Sequence, residues 1–333
     1  MNSQVRIAVL REEFAKLGYT SESLVFSGTE YTKFTAPDGV TWLYKDRNGR
    51  MPFPYVGASA LLNDKKLSAL YAREKGVRVP RTIQASNMIR TVEDYRRVLG
   101  VSEYSSIVVK PADETLSRGV SANVRTDQQL EAAMKKAREH SQNIIVQERI
   151  EGDEFRFLYI GTSLRTVIHK AKLRVVGNGH STVRELILDE NRQRLDLTNL
   201  RVRYPQLSLE TYQKQGVDLA RTPHDGEVVQ LDDTPLIERG ASFYEVMDGV
   251  HDSYKDIANT LAKDFGGGYL AVDIIIPHHT EPATNDNYAF LEFNDIPAPM
   301  YFYACRNHPE LPMMKELVAY IDKVLHLSAG RSE

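Results

Sequence analysis

The sequence has 333 residues, 42% of them hydrophobic and 26% charged, which is ordinary for a globular protein large enough for two or more packed lobes. Its 42 basic and 45 acidic residues give a formal net charge of −3, so there is no electrostatic reason to expect nucleic acid or an anionic membrane surface as a partner. A single cysteine excludes a disulfide framework and favours a cytoplasmic location, and no apolar run approaches the roughly 18 residues of a membrane-spanning helix.

In chain order, the hydrophobic patterns predict clusters of strands separated by helices. A helix at residues 5–17 precedes a short strand meander at 23–45, and residues 196–250 are polar and irregular. Further helices are predicted at 64–76, 91–99, 127–140, 181–195, 252–264 and 309–326. Strands are predicted in VRVPRTI, SSIVVKP, VSANV, NIIVQERI, EFRFLYIGTSLRTVIHKAKLRVVG, YLAVDIII and YAFLEFN. This arrangement indicates an α+β fold rather than a doubly wound sheet, with lobe boundaries near residues 85 and 155.

Three polar side chains interrupt two otherwise apolar strands in the C-terminal third. Glu292 and Asn294 are two residues apart in FLEFN, so their side chains point to the same face of the strand. Asp273 lies inside YLAVDIII, where a buried carboxylate needs a cation or a hydrogen-bond partner. If the two strands are neighbours, the three side chains converge as oxygen ligands that suit Mg²⁺ or Mn²⁺ rather than zinc. The alternative is that Glu292 and Asn294 point to solvent from an edge strand.

Two further segments have features of a phosphate or nucleotide site. Lys110 ends the apolar strand IVVKP, and the loop at 117–120 that follows offers a glycine and consecutive backbone N–H groups. In NIIVQERIEGDEFRF, an apolar strand is followed by a glycine turn and the acidic pair Asp153–Glu154, which could bond ribose hydroxyls. The alternative for each is a solvated strand end with ordinary charges.

Taken together, these segments resemble a known family. IVVKP, SRGVSANV, IIVQERIEGDEFRFLYIGTSL, VVGNGHSTVRELI, AVDIIIP and FLEFNDIPAPM occur in the order and wording typical of ATP-grasp carboxylate–amine ligases, over roughly residues 60–325. The chain is similar to the glutathione synthetase half of bifunctional γ-glutamylcysteine ligase/glutathione synthetases and to the ATP-grasp part of cyanophycin synthetases. The resemblance implies two α+β lobes that grip ATP. It divides the chain into an N-terminal region (1–85), a nucleotide-clasping subdomain (86–155) and a core with the metal and substrate site (156–330).

The resemblance also implies roles for particular residues. The positions that match the family's nucleotide-binding residues are Lys65 and Lys110 near the phosphates, Ser117, Arg118 and Gly119 in the phosphate-covering loop, Glu148, Arg149 and Ile150 in the adenine hinge, and Glu154 near the ribose. The metal ligands would be Asp273, Glu292 and Asn294, holding Mg²⁺ or Mn²⁺.

The chain departs from the family at several catalytic positions. The family usually has two arginines where this chain has His169–Lys170, so Lys170 is placed near the γ-phosphate without a bidentate fork. Arg192 and Arg194, in NRQR, replace an Asp-Pro-Arg-Arg-like element and are candidates to meet a substrate carboxylate. Arg156 is a candidate to stabilise the tetrahedral oxyanion.

The resulting prediction is an ATP-dependent, ADP-forming ligase that joins a carboxylate to an amine through an acylphosphate. A glutathione synthetase-like enzyme acting on small-molecule substrates is favoured, since no G-x-x-G-K-[ST] loop of a Mur-ligase-like half occurs. A cyanophycin synthetase-like amino-acid ligase is the first alternative, and a non-catalytic ATP-binding module is the second. Many relatives form homo-oligomers, which is therefore a possible state of this chain.

Overall fold

A computed structural model describes residues 3–26, 28–45, 61–62, 64–86, 88–112, 118–198, 200–295, 297–308 and 311–329. The α-helices are α1 Ser3–Lys16, α2 Lys65–Glu74, α3 Val92–Leu99, α4 Asp127–Arg138, α5 Val183–Asp196, α6 Leu209–Lys214, α7 Asp252–Ala262 and α8 Met313–Ala329. The strands are β1 Thr20–Phe26, β2 Thr29–Thr35, β3 Thr41–Lys45, β4 Thr82–Gln84, β5 Ile107–Pro111, β6 Ser121–Val124, β7 Ile144–Glu148, β8 Asp153–Ile160, β9 Ser163–Ala171, β10 Arg174–Val176, β11 Val228–Gln230, β12 Ser242–Glu245, β13 Tyr269–Ile276 and β14 Ala289–Asp295. Short 3₁₀ helices occupy Ile237–Arg239, Lys263–Phe265 and Pro299–Tyr303.

The N-terminal strands form the predicted meander. β1, β2 and β3 pair antiparallel in sequence order, and α1 packs against one face of this three-stranded sheet. Phe14 of α1 contacts the rings of Phe34 and Trp42 at centroid distances of 4.8 and 5.8 Å. These rings are buried, so the meander and α1 share an aromatic core that joins the main core of the protein.

The second sheet is four-stranded and entirely antiparallel, in the order β4-β7-β5-β6. Alternating residues of β5, such as Ile107 and Val109, are buried against α3 and α4 in a separate hydrophobic cluster. The predicted strand in VRVPRTI is confined to Thr82–Gln84, just before the boundary placed near residue 85. Thr126 and Gln129 form a capping box that begins α4 where the sequence predicts a helix.

The third sheet is five-stranded and antiparallel, in the order β12-β9-β8-β13-β14. Its central strands are almost completely buried, α7 and α8 pack against the sheet, and β13 is an almost continuous apolar run. β12 was not predicted, since its four residues lie within the stretch interpreted as irregular. The register places Asp273 of β13 opposite both Arg156 of β8 and Glu292 of β14, with a bulge after Asp273.

A smaller unit lies between β9 and β12 in the chain. β10 pairs antiparallel with β11, and α5 and α6 cover this ladder through a cluster that includes Leu173, Val183, Ile187 and Tyr212. Much of the segment predicted to be irregular is therefore organised by its own apolar contacts. Within the parts of the chain just delimited, no helix combines the length and the apolar character needed to cross a membrane.

Candidate active site

A cleft of about 660 Å³ lies between the four-stranded and five-stranded sheets. Side chains from both sheets line it, together with residues 231–236, which follow β11. Eleven of the predicted site residues are among those that line it: Lys65, Lys110, Arg118, Glu148, Arg149, Ile150, Glu154, Arg156, Lys170, Glu292 and Asn294. The structure thus brings together side chains that are more than 200 positions apart in the sequence.

The lining of the cleft is strongly electropositive. Nine basic and five acidic side chains line it, an excess of four positive charges in a chain whose overall charge is −3. The basic residues are Lys65, Lys110, Arg118, Lys136, Arg149, Arg156, Lys170, Lys172 and Arg239, and the acidic residues are Glu148, Glu154, Asp232, Asp233 and Glu292. Such a local excess attracts a polyanion, and a triphosphate would neutralise it.

At the floor of the cleft, Arg156 and Asp273 form a buried bidentate ion pair. Arg156 Nε donates to Asp273 Oδ1 at 2.8 Å and Nη2 donates to Oδ2 at 2.6 Å, while Asn294 Nδ2 also donates to Oδ2 at 2.6 Å. Burial alone would raise the pKa of Asp273, but the charge and hydrogen bonds of Arg156 outweigh burial and lower it. The buried carboxylate predicted to need a partner has one, and Asp273 is ionised at neutral pH.

Beside this pair lies a second one on the same face of the sheet. Lys170 of β9 and Glu154 of β8 are paired in register, and the Lys170 ammonium is hydrogen-bonded to the Glu154 carboxylate. Burial raises the pKa of Glu154, and the charges of Lys170 and Arg156 act against that rise. Burial acts to lower the pKa of Lys170, but Glu154 raises it overall, so this lysine remains a cation. Both residues are therefore held at defined positions in the wall of the cleft.

The predicted metal ligands differ in how they face the cleft. Glu292 and Asn294 line it directly, whereas Asp273 is fully buried behind Arg156. Since the amide nitrogen of Asn294 donates to Asp273, its carbonyl oxygen is the atom left for a cation, next to the Glu292 carboxylate. One carboxylate and one amide oxygen suit Mg²⁺, which commonly takes few protein ligands and completes its shell with water and phosphate. Lys65 Nζ lies 3.4 Å from Glu292 Oε2, so a cation would share this carboxylate with a lysine.

On the opposite wall, Lys110 and Arg118, which lies at the end of the loop after β5, face the same space. Desolvation and the neighbouring charge of Lys65 lower the pKa of Lys110 to about 8, against the opposing influence of Glu292 and Glu154. Gly119 has φ +71°, and a Cβ there would come within 2.9 Å of the Pro111 ring, so this tight turn requires glycine. Arg118 is exposed at the mouth of the cleft. Ser117, the remaining residue predicted for this loop, lies outside the described residues.

The predicted hinge residues connect the two sheets. The Glu148 carboxylate accepts a hydrogen bond from the backbone N–H of Arg81 at 2.9 Å and lies 3.5 Å from Arg78 Nη2. These two contacts link the hinge to the segment before β4. Arg149 Nη2 lies 3.6 Å from Asp233 Oδ1, which links the hinge to residues 231–236. Because the Glu148 and Arg149 side chains have these partners, the backbone and the apolar Ile150 are the parts of the hinge most available to a flat base.

Arg192 is one predicted catalytic residue that the structure does not bring to the cleft. Its side chain is 74% exposed and pairs with Asp189 one turn away on α5. Arg194 points the other way, into the protein, where it donates to Glu190 and to the carbonyl oxygens of Pro205 and Gly240. Arg194 therefore has a structural role, and Arg192 is not among the described residues that line this cleft, so its contact with a substrate carboxylate stays a prediction.

Sequence reasoning missed two parts of the lining. Residues 231–236 lie in a stretch without periodicity, and only the β10–β11 ladder brings them to the cleft. Tyr301 follows the predicted metal strand in a 3₁₀ turn, with Arg156 Cζ 4.5 Å from its ring centroid. The sequence does show an aromatic residue shortly after the polar strand. However, Tyr301 is followed directly by Phe302 and Tyr303, which are core residues, and no sequence pattern indicates which of the three lines the cleft.

Two antiparallel sheets thus enclose an electropositive cleft, with candidate oxygen ligands on one wall. The family model "D-ala D-ala ligase C-terminus" matches residues 81–183. The glutathione biosynthesis bifunctional protein GshAB of Clostridium perfringens is 27% identical over 245 residues, covering 72% of this chain and 31% of that protein. The cyanophycin synthetase of Geminocystis herdmanii is 27% identical over 241 residues, covering 70% of this chain and 27% of that protein.

The fold comparison agrees with these matches. The bifunctional glutathione synthetase from Pasteurella multocida aligns with a TM-score of 0.58 and 21% identity, covering 96% of this chain and 43% of that chain. The predicted α+β, ATP-grasp fold and the predicted resemblance to these two kinds of ligase are therefore confirmed. The chain spans about a third of the length of the curated relatives it matches.

Proposed function

We propose that the protein is an ATP-dependent, ADP-forming ligase that joins a carboxylate to an amine through an acylphosphate. The observation that carries this proposal is the excess of four positive charges around a cleft whose wall also presents the oxygen atoms of Glu292 and Asn294. The reaction brings a triphosphate and a carboxylate together, and an electropositive pocket with a divalent-cation site lowers that electrostatic cost.

In the first step, a carboxylate oxygen of the acid attacks the γ-phosphorus of ATP, the bond from that phosphorus to the β-γ bridging oxygen breaks, and ADP leaves. Lys110 and Lys170 are placed on opposite walls and hold phosphate oxygens between them. Glu292 and the carbonyl oxygen of Asn294 would hold Mg²⁺, which when bound neutralises phosphate charge. Asp273 fixes the orientation of Asn294 and Arg156 and is the third candidate ligand.

In the second step, the amine nitrogen attacks the acyl carbon, the carbon–oxygen bond to phosphate breaks, and the amine loses a proton as the amide forms. Negative charge develops on the former carbonyl oxygen, and the guanidinium of Arg156 is the fixed cation nearest the floor of the cleft. Its bidentate bond to Asp273 holds it in one orientation, so it stabilises that charge without reorganising. Water must be kept away from the acylphosphate, and Arg118, which lines the cleft, would help to exclude it when substrates are bound.

For the substrates, we propose a small peptide or amino acid as the acid and an amino acid as the amine, as in glutathione synthesis. The similarity to the bifunctional glutathione protein supports this choice. The second candidate is a cyanophycin synthetase-like amino-acid ligase, supported by the equal identity of 27% to a cyanophycin synthetase. The fold and cleft alone do not separate the two, because both would use the same nucleotide and metal residues.

The test is ADP and phosphate release with Mg·ATP against a crossed panel of acids and amines, with products identified by mass spectrometry. The panel includes γ-glutamylcysteine with glycine, and free amino acids in pairs. Release that requires both partners, with one amide formed per ADP, supports the ligase. Replacing the amine by hydroxylamine should yield a hydroxamate of the acid, since an acylphosphate is attacked by this nucleophile. ATP binding without ADP release for any pair would instead favour a non-catalytic nucleotide-binding module.

A further inference from the structure

Tyr301 is a cleft residue that the proposed mechanism does not use. It is 8% exposed, and that exposed part lies in the cleft. Its ring stacks on Phe243 of β12, with centroids 5.2 Å apart and an interplanar angle of 22°. The other contact of the ring is with the guanidinium of Arg156, whose Cζ is 4.5 Å from the ring centroid. The ring is therefore held between a core aromatic and the cation at the cleft floor.

The backbone around Tyr301 is also fixed. The Tyr204 hydroxyl donates to the carbonyl oxygen of Ala304 at 2.6 Å and accepts the backbone N–H of Phe243 at 2.9 Å, which ties the 3₁₀ turn to β12. The backbone N–H of Arg306 donates to the Phe243 carbonyl at 2.8 Å. Because the turn is bonded to the sheet at these points, Tyr301 is presented to the cleft in a defined position.

The hydroxyl of Tyr301 can donate a hydrogen bond to a bound ligand. The ring lies beside the Arg156 guanidinium, and Lys170 lines the same cleft. Among the described residues this hydroxyl has no hydrogen-bond partner. A phenol that lines the cleft next to a guanidinium, with no protein partner for its O–H among the residues that the structure describes, can donate to an anionic group bound there.

We propose that Tyr301 contacts the acid substrate, with its hydroxyl donating to the reacting carboxylate beside Arg156 and its ring keeping water from the acylphosphate. The inference rests on the proposed ligase function and names a substrate-positioning residue for it. The Tyr301 hydroxyl and the Arg156 guanidinium would both donate hydrogen bonds to the substrate carboxylate, from two directions. This orients one carboxylate oxygen toward the γ-phosphate. The ring stacks on Phe243 and fills the side of the cleft next to the 3₁₀ turn, where it would keep water out.

Two substitutions separate the two roles. Tyr301→Phe removes only the hydroxyl, and Tyr301→Leu also removes the aromatic ring. Tyr303→Phe is the matched control, because Tyr303 is in the same turn but contacts Arg201 and is absent from the described lining of the cleft. Each variant is first compared with the wild type for Mg·ATP binding by calorimetry, which reports whether the nucleotide site is intact.

The kinetic experiment uses γ-glutamylcysteine with glycine, or, if that pair is inactive, the pair of free amino acids that gives most ADP with the wild type. For Tyr301→Phe we expect KM for the acid to rise roughly ten- to a hundredfold, as for loss of a hydrogen bond to a charged group, with KM for ATP within about twofold. For Tyr301→Leu we expect ADP released per amide formed to rise from about one to several, because water then intercepts the acylphosphate. Tyr303→Phe should leave both quantities unchanged.

The outcomes distinguish this inference from the function on which it rests. An active wild type with unchanged acid KM in Tyr301→Phe and unchanged coupling in Tyr301→Leu would overturn the role of Tyr301 and leave the ligase standing. Equal rises in KM for acid and ATP would show a general loss of cleft structure and also overturn it. A wild type that forms no amide with any pair of the panel would overturn both proposals.

Discussion

The two walls of the cleft satisfy their charges in different ways. On the five-stranded sheet, Arg156 pairs with Asp273 and Lys170 with Glu154, so each cation already has a carboxylate. On the side of the four-stranded sheet, Lys110 has no ion pair among the described residues, and burial, together with the charge of Lys65 on α2, lowers its pKa to about 8. One wall is thus complete without a ligand, whereas the other carries positive charge that an anion would relieve.

This difference assigns separate tasks to the two sheets. A wall of paired, buried charges is preorganised, because its groups cannot reorient without breaking strong hydrogen bonds in a medium of low dielectric constant. A wall with a buried lysine that lacks a carboxylate partner among the described residues gains from a bound polyanion, so its contribution appears in nucleotide affinity. We therefore expect changes in the five-stranded sheet to affect chemistry and stability, and changes in the four-stranded sheet to affect binding.

The largest expected effect is on turnover when the proposed metal carboxylate is removed. Glu292→Ala should lower Mg²⁺-dependent ADP formation by about a thousandfold, the scale for loss of a major transition-state-stabilising group. Glu281→Ala, an exposed acidic residue outside the cleft lining, is the control and should be near wild type. Steady-state rates over a range of Mg²⁺ concentrations measure this, and comparable rates for the two variants would contradict the proposed metal site.

A large effect on stability should follow when the buried pair is broken. Arg156→Met leaves the ionised Asp273 unpaired in the core, and we expect the free energy of unfolding to fall by about 3–5 kcal/mol. Arg192→Met, at a surface pair on α5, should change it by less than about 1 kcal/mol. Urea denaturation followed by circular dichroism measures both, and equal small changes would mean that the five-stranded wall is not preorganised by this pair.

A more moderate effect is expected on the binding wall. Lys110→Met should weaken Mg·ATP binding by roughly ten- to a hundredfold, since one charge-assisted phosphate contact is lost. Its free energy of unfolding should not fall, because no buried carboxylate loses its only partner. Lys135→Met, on the exposed face of α4, serves as the control in the same calorimetric titration. Unchanged affinity in Lys110→Met would remove this lysine from the nucleotide site.

The smallest predicted effect is a pH dependence of nucleotide affinity. Raising the pH from 7 to 9 removes the proton of Lys110 as the pH passes its pKa of about 8, so Mg·ATP affinity should fall by up to about tenfold. The unfolded chain, with the ordinary lysine pKa of 10.5, binds more protons between about pH 8 and 10.5, so this group contributes increasing stability across that window. Calorimetry of the wild type and Lys110→Met at several pH values tests the first statement, and the same slope in both would contradict it.

Much of the fold and of the candidate site was predictable because it depends on local patterns. The meander, the two polar strands and all the described helices except α6 follow from periodicity, turn residues and caps, which act over a few positions. The strand β12 was missed since four residues provide too few alternations to indicate a period. The convergence of Asp273, Glu292 and Asn294 was expected only if two strands were neighbours, and the register of β13 with β14 satisfies that condition.

Local patterns in the sequence predict the α+β class, the order of the elements outside residues 196–250, and residue types suited to oxygen ligands and phosphate contacts. Tertiary structure alone decided which partner each charge has: Arg156 meets Asp273 from 117 positions away, a pairing set by strand register. It also decided that Arg194 is buried and Arg192 exposed, because residues two apart on a helix are rotated by roughly 200° and only the packing selects the buried one. The position of Tyr301 over Arg156 likewise depends on bonds from its turn to β12, since contacts between distant segments leave no periodic trace in the sequence.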